Sequence, residues 1–190
     1  MGLEIMNRIF ATLAVVSNLG LIVTFLLGWA MKDPTVEGST GVPMSVHFLV
    51  ALAAVTLTLL VHAIVLTYFM GTGRWIEETS EVYQLGIDSR AANIKLKYQT
   101  MPGMVACILL LIVTGGFGAV ADPGSSVTLA SSGIIHLTLA CVTLLANVAV
   151  SVVEYQTIQR NGRLVDEIMS SVRTIRRERG LDDTPVTAEA

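Results

Sequence analysis

Three histidines are the residues of this chain whose type and spacing could do chemistry: His47, His62 and His136. His47 and His62 share the stretch VHFLVALAAVTLTLLVHAIVLTYFM, residues 46–70, which contains no Asp, Glu, Lys or Arg, and His136 stands in a second such run, residues 124–153. An ionisable group in a segment made for hydrocarbon costs free energy unless it has a partner or a task. Neutral imidazole is a common metal ligand, and imidazoles from facing helices can clamp an iron porphyrin from both sides. A bare copper or other ion is served less well, because no carboxylate or intramembrane thiol is at hand beside the pair, whereas haem brings its own ring of nitrogens. The plain alternative is that each histidine only hydrogen-bonds a Thr or a carbonyl of the next helix, a contact worth well under about 2 kcal/mol.

The elements that must position these side chains are membrane spans. Charge-free runs cover 9–31, 46–70, 100–121 and 124–153, each at or above the ~20 residues that cross a bilayer. The chain is 53% hydrophobic and 14% charged, with a mean hydropathy of +0.67, too apolar for a soluble domain of this size. The first run exceeds the ~7–15-residue core of a secretion signal and lacks an A-x-A site, so it reads as a mature helix; a cleaved signal is the alternative. Cations fall on one side: Arg8, then Arg74, Arg90, Lys95 and Lys97, then Arg160, Arg163 and the Arg173–Arg179 cluster, against Lys32 alone in the opposite loops. Both termini are therefore expected in the cytoplasm. Cys107 and Cys141 both fall within spans and are read as unbonded packing residues.

Sliding the chain against itself by 89 residues aligns Asp33-Pro34 with Asp122-Pro123, His47 with His136, and GRWIEE (73–78) with GRLVDE (162–167). The expected fold is all-α: an integral membrane four-helix bundle built from a duplicated two-helix hairpin, with amphipathic cytoplasmic helix extensions. The first hairpin and its extension take 1–86, the second 87–180, and 181–190 is a disordered tail. Two crossings per copy give both copies one orientation, so His47 and His136 lie at equal depth and can face each other across the bundle. Leu164, Ile168, Val172 and Ile175, and in the earlier loop Ile76, Thr79, Val82 and Tyr83, recur at helical spacing, which predicts that helices two and four continue past the lipid as a short pair.

Gly28 on helix one and Gly115, Gly116 and Gly118 on helix three lie roughly level with His47 and His136, where glycine could let a flat cofactor approach the backbone. Gly20, Thr24 and Gly28 equally fit small-residue helix packing. His47 and His62, 15 residues apart, share a broad face and are separated by roughly 22 Å. Asn18 and Asn147 read as interhelical hydrogen-bonding partners. Glu154, Tyr155 and Tyr68 read as anchors at the inner interface, with a proton relay or quinone-headgroup site between Glu154 and His62 as a lesser option. Trp29 and Trp75 read as belt residues, and Arg74 and Arg163 as headgroup anchors.

With these residues in place, the chain resembles the four-helix core of the b-type cytochromes, whose second and fourth helices each carry two haem-ligand histidines at a similar spacing. That resemblance implies a haem b with His47 and His136 as its axial pair, His62 as one ligand of a possible inner haem, and electron transfer to or from a quinone or partner subunit; Gly28 and Gly116 are the glycines expected beside the outer cofactor. Ser151 stands where the pattern would place a fourth histidine, so one haem is expected and a second would need another ligand. The stretch VHAIVLTYFMGTGRWIEE also resembles small bacterial membrane proteins of unknown role, which implies a bacterial inner membrane. The competing expectation is a non-catalytic accessory subunit that docks a partner through its cytoplasmic helices. A transporter is weaker still, with no water-lined path in view. Phosphate loops, dinucleotide fingerprints, CxxC and HExxH are absent, and nothing points to nucleic acid.

Overall fold

The computed structural model describes residues 2–31, 38, 40–127 and 129–181. Four helices account for the architecture: α1 (Gly2–Trp29), α2 (Met44–Tyr83), α3 (Asp88–Ala121) and α4 (Ser132–Glu178). All four are long and apolar enough to cross a membrane, the composition expected of a multi-pass membrane protein. The Asp33-Pro34 loop and residues 182–190 of the tail lie outside the described residues.

Why the bundle holds is visible in what faces outward. Leu19, Leu26, Phe48, Leu49, Leu52, Leu109, Ile112 and Leu145 are all more than half exposed, while Ser17, Thr58, His62, Asn147, Glu154, Thr157 and Asn161 are buried. In water this distribution would cost free energy on both counts; in lipid the apolar surface is at no disadvantage and the polar groups must pair inside. The helices form a ring in the order α1, α2, α3, α4, with α2 and α4 also touching across the diagonal and α1 and α3 apart. The two histidine-bearing helices are thus the inner diagonal. Phe10, Ala14, Val61, Val65, Phe69, Met104 and Ile158 make the apolar core near mid-length.

At 40 and 47 residues, α2 and α4 run about 60 and 70 Å, roughly twice a bilayer's hydrocarbon thickness, so both project beyond it. Their projecting parts pair as expected: Ile76, Ile168 and Val172 form a second buried cluster, flanked by Trp75, Tyr83, Leu164 and Val165. Gln84 in the left-handed conformation (φ 54°) ends α2, its cap N–H bonding the Ser80 carbonyl, and Asp88 opens α3. The Arg90 guanidinium bonds Glu77 at 2.6 Å and ties the start of α3 to the α2 extension. Arg74 pairs with Glu78 one turn along at 2.8 Å, both side chains exposed. Ile76 has no exposed surface, so Ile76→Ala should cost the pair about 2–5 kcal/mol. Limited proteolysis should then cut between residues 76 and 83 while the apolar bundle stays intact.

Candidate functional site

His47 and His136 approach each other across the α2/α4 diagonal, their ring centroids 6.4 Å apart and their planes at 87°. Each ring is held the same way. His47 Nδ1 lies 3.1 Å from the Thr24 carbonyl of α1, and His136 Nδ1 lies 2.9 Å from the Thr114 carbonyl of α3. A carbonyl oxygen only accepts, so both Nδ1 atoms carry the proton and donate, and each Nε2 is left with a free lone pair. No atom of the described residues hydrogen-bonds either Nε2. A backbone carbonyl that fixes the tautomer and orientation of an imidazole is the usual outer support of a metal-ligating histidine.

Glycine makes room for these rings. A Cβ on Gly28 would lie 2.9 Å from His47 Cε1, and a Cβ on Gly118 would lie 2.9 Å from His136 Cε1. The two hairpins repeat one contact: helix carbonyl, glycine and imidazole. His47 and His136 are 89 residues apart, whereas Thr24 and Thr114, like Gly28 and Gly118, are 90 apart. Gly116, named from the sequence, has open space within 4 Å of where its Cβ would be and does not touch either ring. The glycine precedes its histidine by 19 residues in the first hairpin and by 18 in the second, so transferring the first spacing lands on Phe117 and no fixed offset singles out Gly118. Gly28→Ala and Gly118→Ala are expected to displace the facing imidazole and weaken any ligand held by the pair at least tenfold in titration, while Gly116→Ala leaves it unchanged.

A cavity of about 520 Å³ opens beside the histidines, with walls from all four helices, among them Phe25, Val55, Leu111, Gly115 and Leu144. Its size lies within the ~300–1,000 Å³ of small-molecule and cofactor sites, and its lining is mostly apolar with a few polar groups. Thr114 and Thr143 share a 2.7 Å hydrogen bond at its floor.

His62 lies elsewhere and differs in kind. Only 1% exposed, it faces acceptors at both ring nitrogens: Glu154 Oε1 at 2.7 Å from Nδ1 and Asn147 Oδ1 at 3.1 Å from Nε2. The amide orientation is fixed by the rest of the network: Asn18 Nδ2 donates to the Ala14 carbonyl (2.8 Å), which only accepts, so Asn18 Oδ1 accepts from Asn147 Nδ2 (3.0 Å) and Asn147 Oδ1 is left toward His62. With neither nitrogen free, His62 is not placed to ligate a metal, which corrects the expectation of His62 as a ligand of an inner haem. Glu154 and Tyr68 read from the sequence first as interface anchors, with a Glu154–His62 site only as the lesser option. Glu154 is fully buried and faces His62, and the Tyr68 hydroxyl is buried as well. Counting helical spacing from Asn147 to Ser151 and Glu154 would have put all three on one inward face. Asn18 and Asn147 are interhelical partners, as expected.

Among the described residues no group of three or more His, Cys, Asp or Glu is arranged to hold a metal ion. The two cysteines are free. No family model, curated protein or solved structure matches the chain.

Proposed function

We propose that the chain is a small membrane cytochrome of b type, which holds one haem between His47 and His136 and passes single electrons to or from a quinone or a partner subunit in a bacterial inner membrane. The observation that supports it most is the histidine pair. The two rings approach each other from facing helices with centroids 6.4 Å apart, so His47 and His136 would hold a haem between them. The lone pairs on Nε2 and the adjoining apolar cavity add to this. A bare ion would need further protein ligands that the described residues do not assemble, whereas a porphyrin needs only the two axial ones.

In this reading the internal duplication explains the matched pair: one hairpin supplies carbonyl, glycine and imidazole, and its copy supplies the same set. Haem would provide the one-electron chemistry, and the protein would set ligation, polarity and access. Thr24 and Thr114 hold the imidazoles by Nδ1 at the cavity's edge, which leaves Nε2 for the haem. Gly28 and Gly118 seat the rings against α1 and α3. The apolar walls exclude water, and both termini and the paired α2/α4 extensions face the cytoplasm. The extensions leave Val82 and Ile87 more than two thirds exposed, and a redox partner binding there would approach from that side.

The deciding measurement is a reduced-minus-oxidised visible spectrum with a pyridine haemochrome assay on detergent-purified protein, expressed with haem precursor. A b-type signal near one haem per chain is the expected result. Folded, monodisperse and colourless protein would overturn the reading in favour of an accessory subunit.

A further inference from the structure

Helix α4 carries a continuous inward stripe of polar residues: Thr143, Asn147, Ser151, Glu154, Thr157 and Asn161, all buried and spaced by three or four. It spans about 27 Å from the cavity floor toward the α2–α3 loop. His62 and Glu154 are the only residues with ionisable acid or base side chains of ordinary neutral-range chemistry in the buried polar set of the described residues. Glu154 Oε1 faces His62, but Oε2 is buried without a hydrogen-bond partner. Two more orphaned buried hydroxyls, Tyr68 and Ser80, lie successively nearer the α2–α3 loop end. Between them Asn161 bonds Asn93 (2.6 Å) and Thr72 (3.0 Å), and Thr157 bonds Thr100 (2.9 Å). Buried polar atoms without partners are rare, and internal water is the usual remedy at a polar site. Two of them on the loop side of the pair, with the Asn161 and Thr157 contacts between them and the free Glu154 Oε2, supply a polar path along which internal water would carry a proton from that end. On the cavity side the route stops at Asn147, whose amide is no ready proton carrier.

We propose that His62 and Glu154 form a proton-binding site, reached from the α2–α3 loop end, that takes up a proton when an electron enters the cavity's occupant; the coupling rests on the haem reading above. The balance is one electron in at the metal and one proton in from water at the loop end, forming an O–H bond at the free Glu154 Oε2 while Oε1 keeps its bond to His62. Few other groups compete at this site. Cys107 of α3 is the other titratable side chain turned toward it, Tyr68 of α2 and Tyr155 of α4 pack against the adjoining apolar core, and α1 contributes the neutral Asn18. Across roughly 22 Å at an effective dielectric constant of about 20, protonation should change the redox equilibrium constant about threefold to fourfold.

The test is reduced-minus-oxidised infrared difference spectroscopy on the haem-loaded full chain, reduced with dithionite in H₂O and D₂O, together with midpoint potentials measured across pH. Expected are a carboxylic-acid C=O band that moves on deuteration and disappears in Glu154→Gln, and a potential that falls between two plateaus as pH rises and flattens in the same variant. If Glu154→Gln does not fold, His62→Gln keeps an N–H for Oε1 and should shift the band's frequency. A visible haem signal with no such band, with a band unmoved by either variant, or with a pH-independent potential overturns the proton site alone. A wild-type protein without haem overturns the haem reading and, with it, the coupling.

Discussion

His47→Ala and His136→Ala should each abolish the haem signal, lowering haem per chain at least tenfold, while His62→Ala leaves the Soret band in place. The asymmetry follows from hydrogen bonding. His47 and His136 spend Nδ1 on the Thr24 and Thr114 carbonyls and keep Nε2 free, whereas His62 has both nitrogens committed to Glu154 and Asn147. Removing either member of the pair takes away one of two axial bonds and also leaves a carbonyl of the neighbouring helix without its imidazole donor. A visible spectrum and haemochrome assay of the three purified variants, with size-exclusion profiles to confirm folding, decide the matter. Equal haem in all three would sink the assignment of the pair. Loss in His62→Ala alone would move the ligand to the centre of the bundle, against the contacts seen there.

The largest effect on stability is expected at His62 and Glu154. Both are buried, at 1% and 0% side-chain exposure, and their 2.7 Å contact is the sole ion pair inside the bundle among the described residues. Removing one partner from such a pair leaves a charge in a low-dielectric interior and typically costs about 3–5 kcal/mol. Polar contacts between membrane helices average well below that, about 0.6 kcal/mol. Charge and complete burial place this pair at the upper end. Glu154→Ala is expected to lower the unfolding midpoint in detergent sharply, with His62→Ala close behind. The double variant His62→Leu with Glu154→Met, which removes both charges and keeps volume, should recover most of the loss. A double variant as unstable as the sum of the singles would show that the two sites do not interact.

Several features were readable from sequence for definite reasons. Membrane helices are set by composition over ~20 residues, so all four spans were legible, as were the continuations of α2 and α4, because Ile76, Leu164, Ile168 and Val172 keep helical spacing after the apolar runs end. The depth match of His47 with His136 came from the 89-residue offset. What stayed hidden was which face each side chain takes. Gly116 and Gly118 are equally small, and only the path of α3 past His136 singles out Gly118. Tyr68 and Glu154 sit at the ends of charge-free runs, where interfacial residues normally stand; because α2 and α4 continue past those ends packed on each other, the Tyr68 hydroxyl and the Glu154 side chain are interior.

Sequence alone determined that four segments are long and apolar enough to cross a membrane, which helices carry the imidazoles, and that two of them lie level, since these depend on local hydrophobicity and on distances along one chain. Tertiary structure decided the chemistry of each histidine. Whether an imidazole has a free lone pair depends on the acceptors that other helices bring to it, from residues 22, 23, 85 and 92 positions away. No local pattern encodes those distances. Packing set them, placing a lone carbonyl beside His47 and His136 and a carboxylate with an amide around His62.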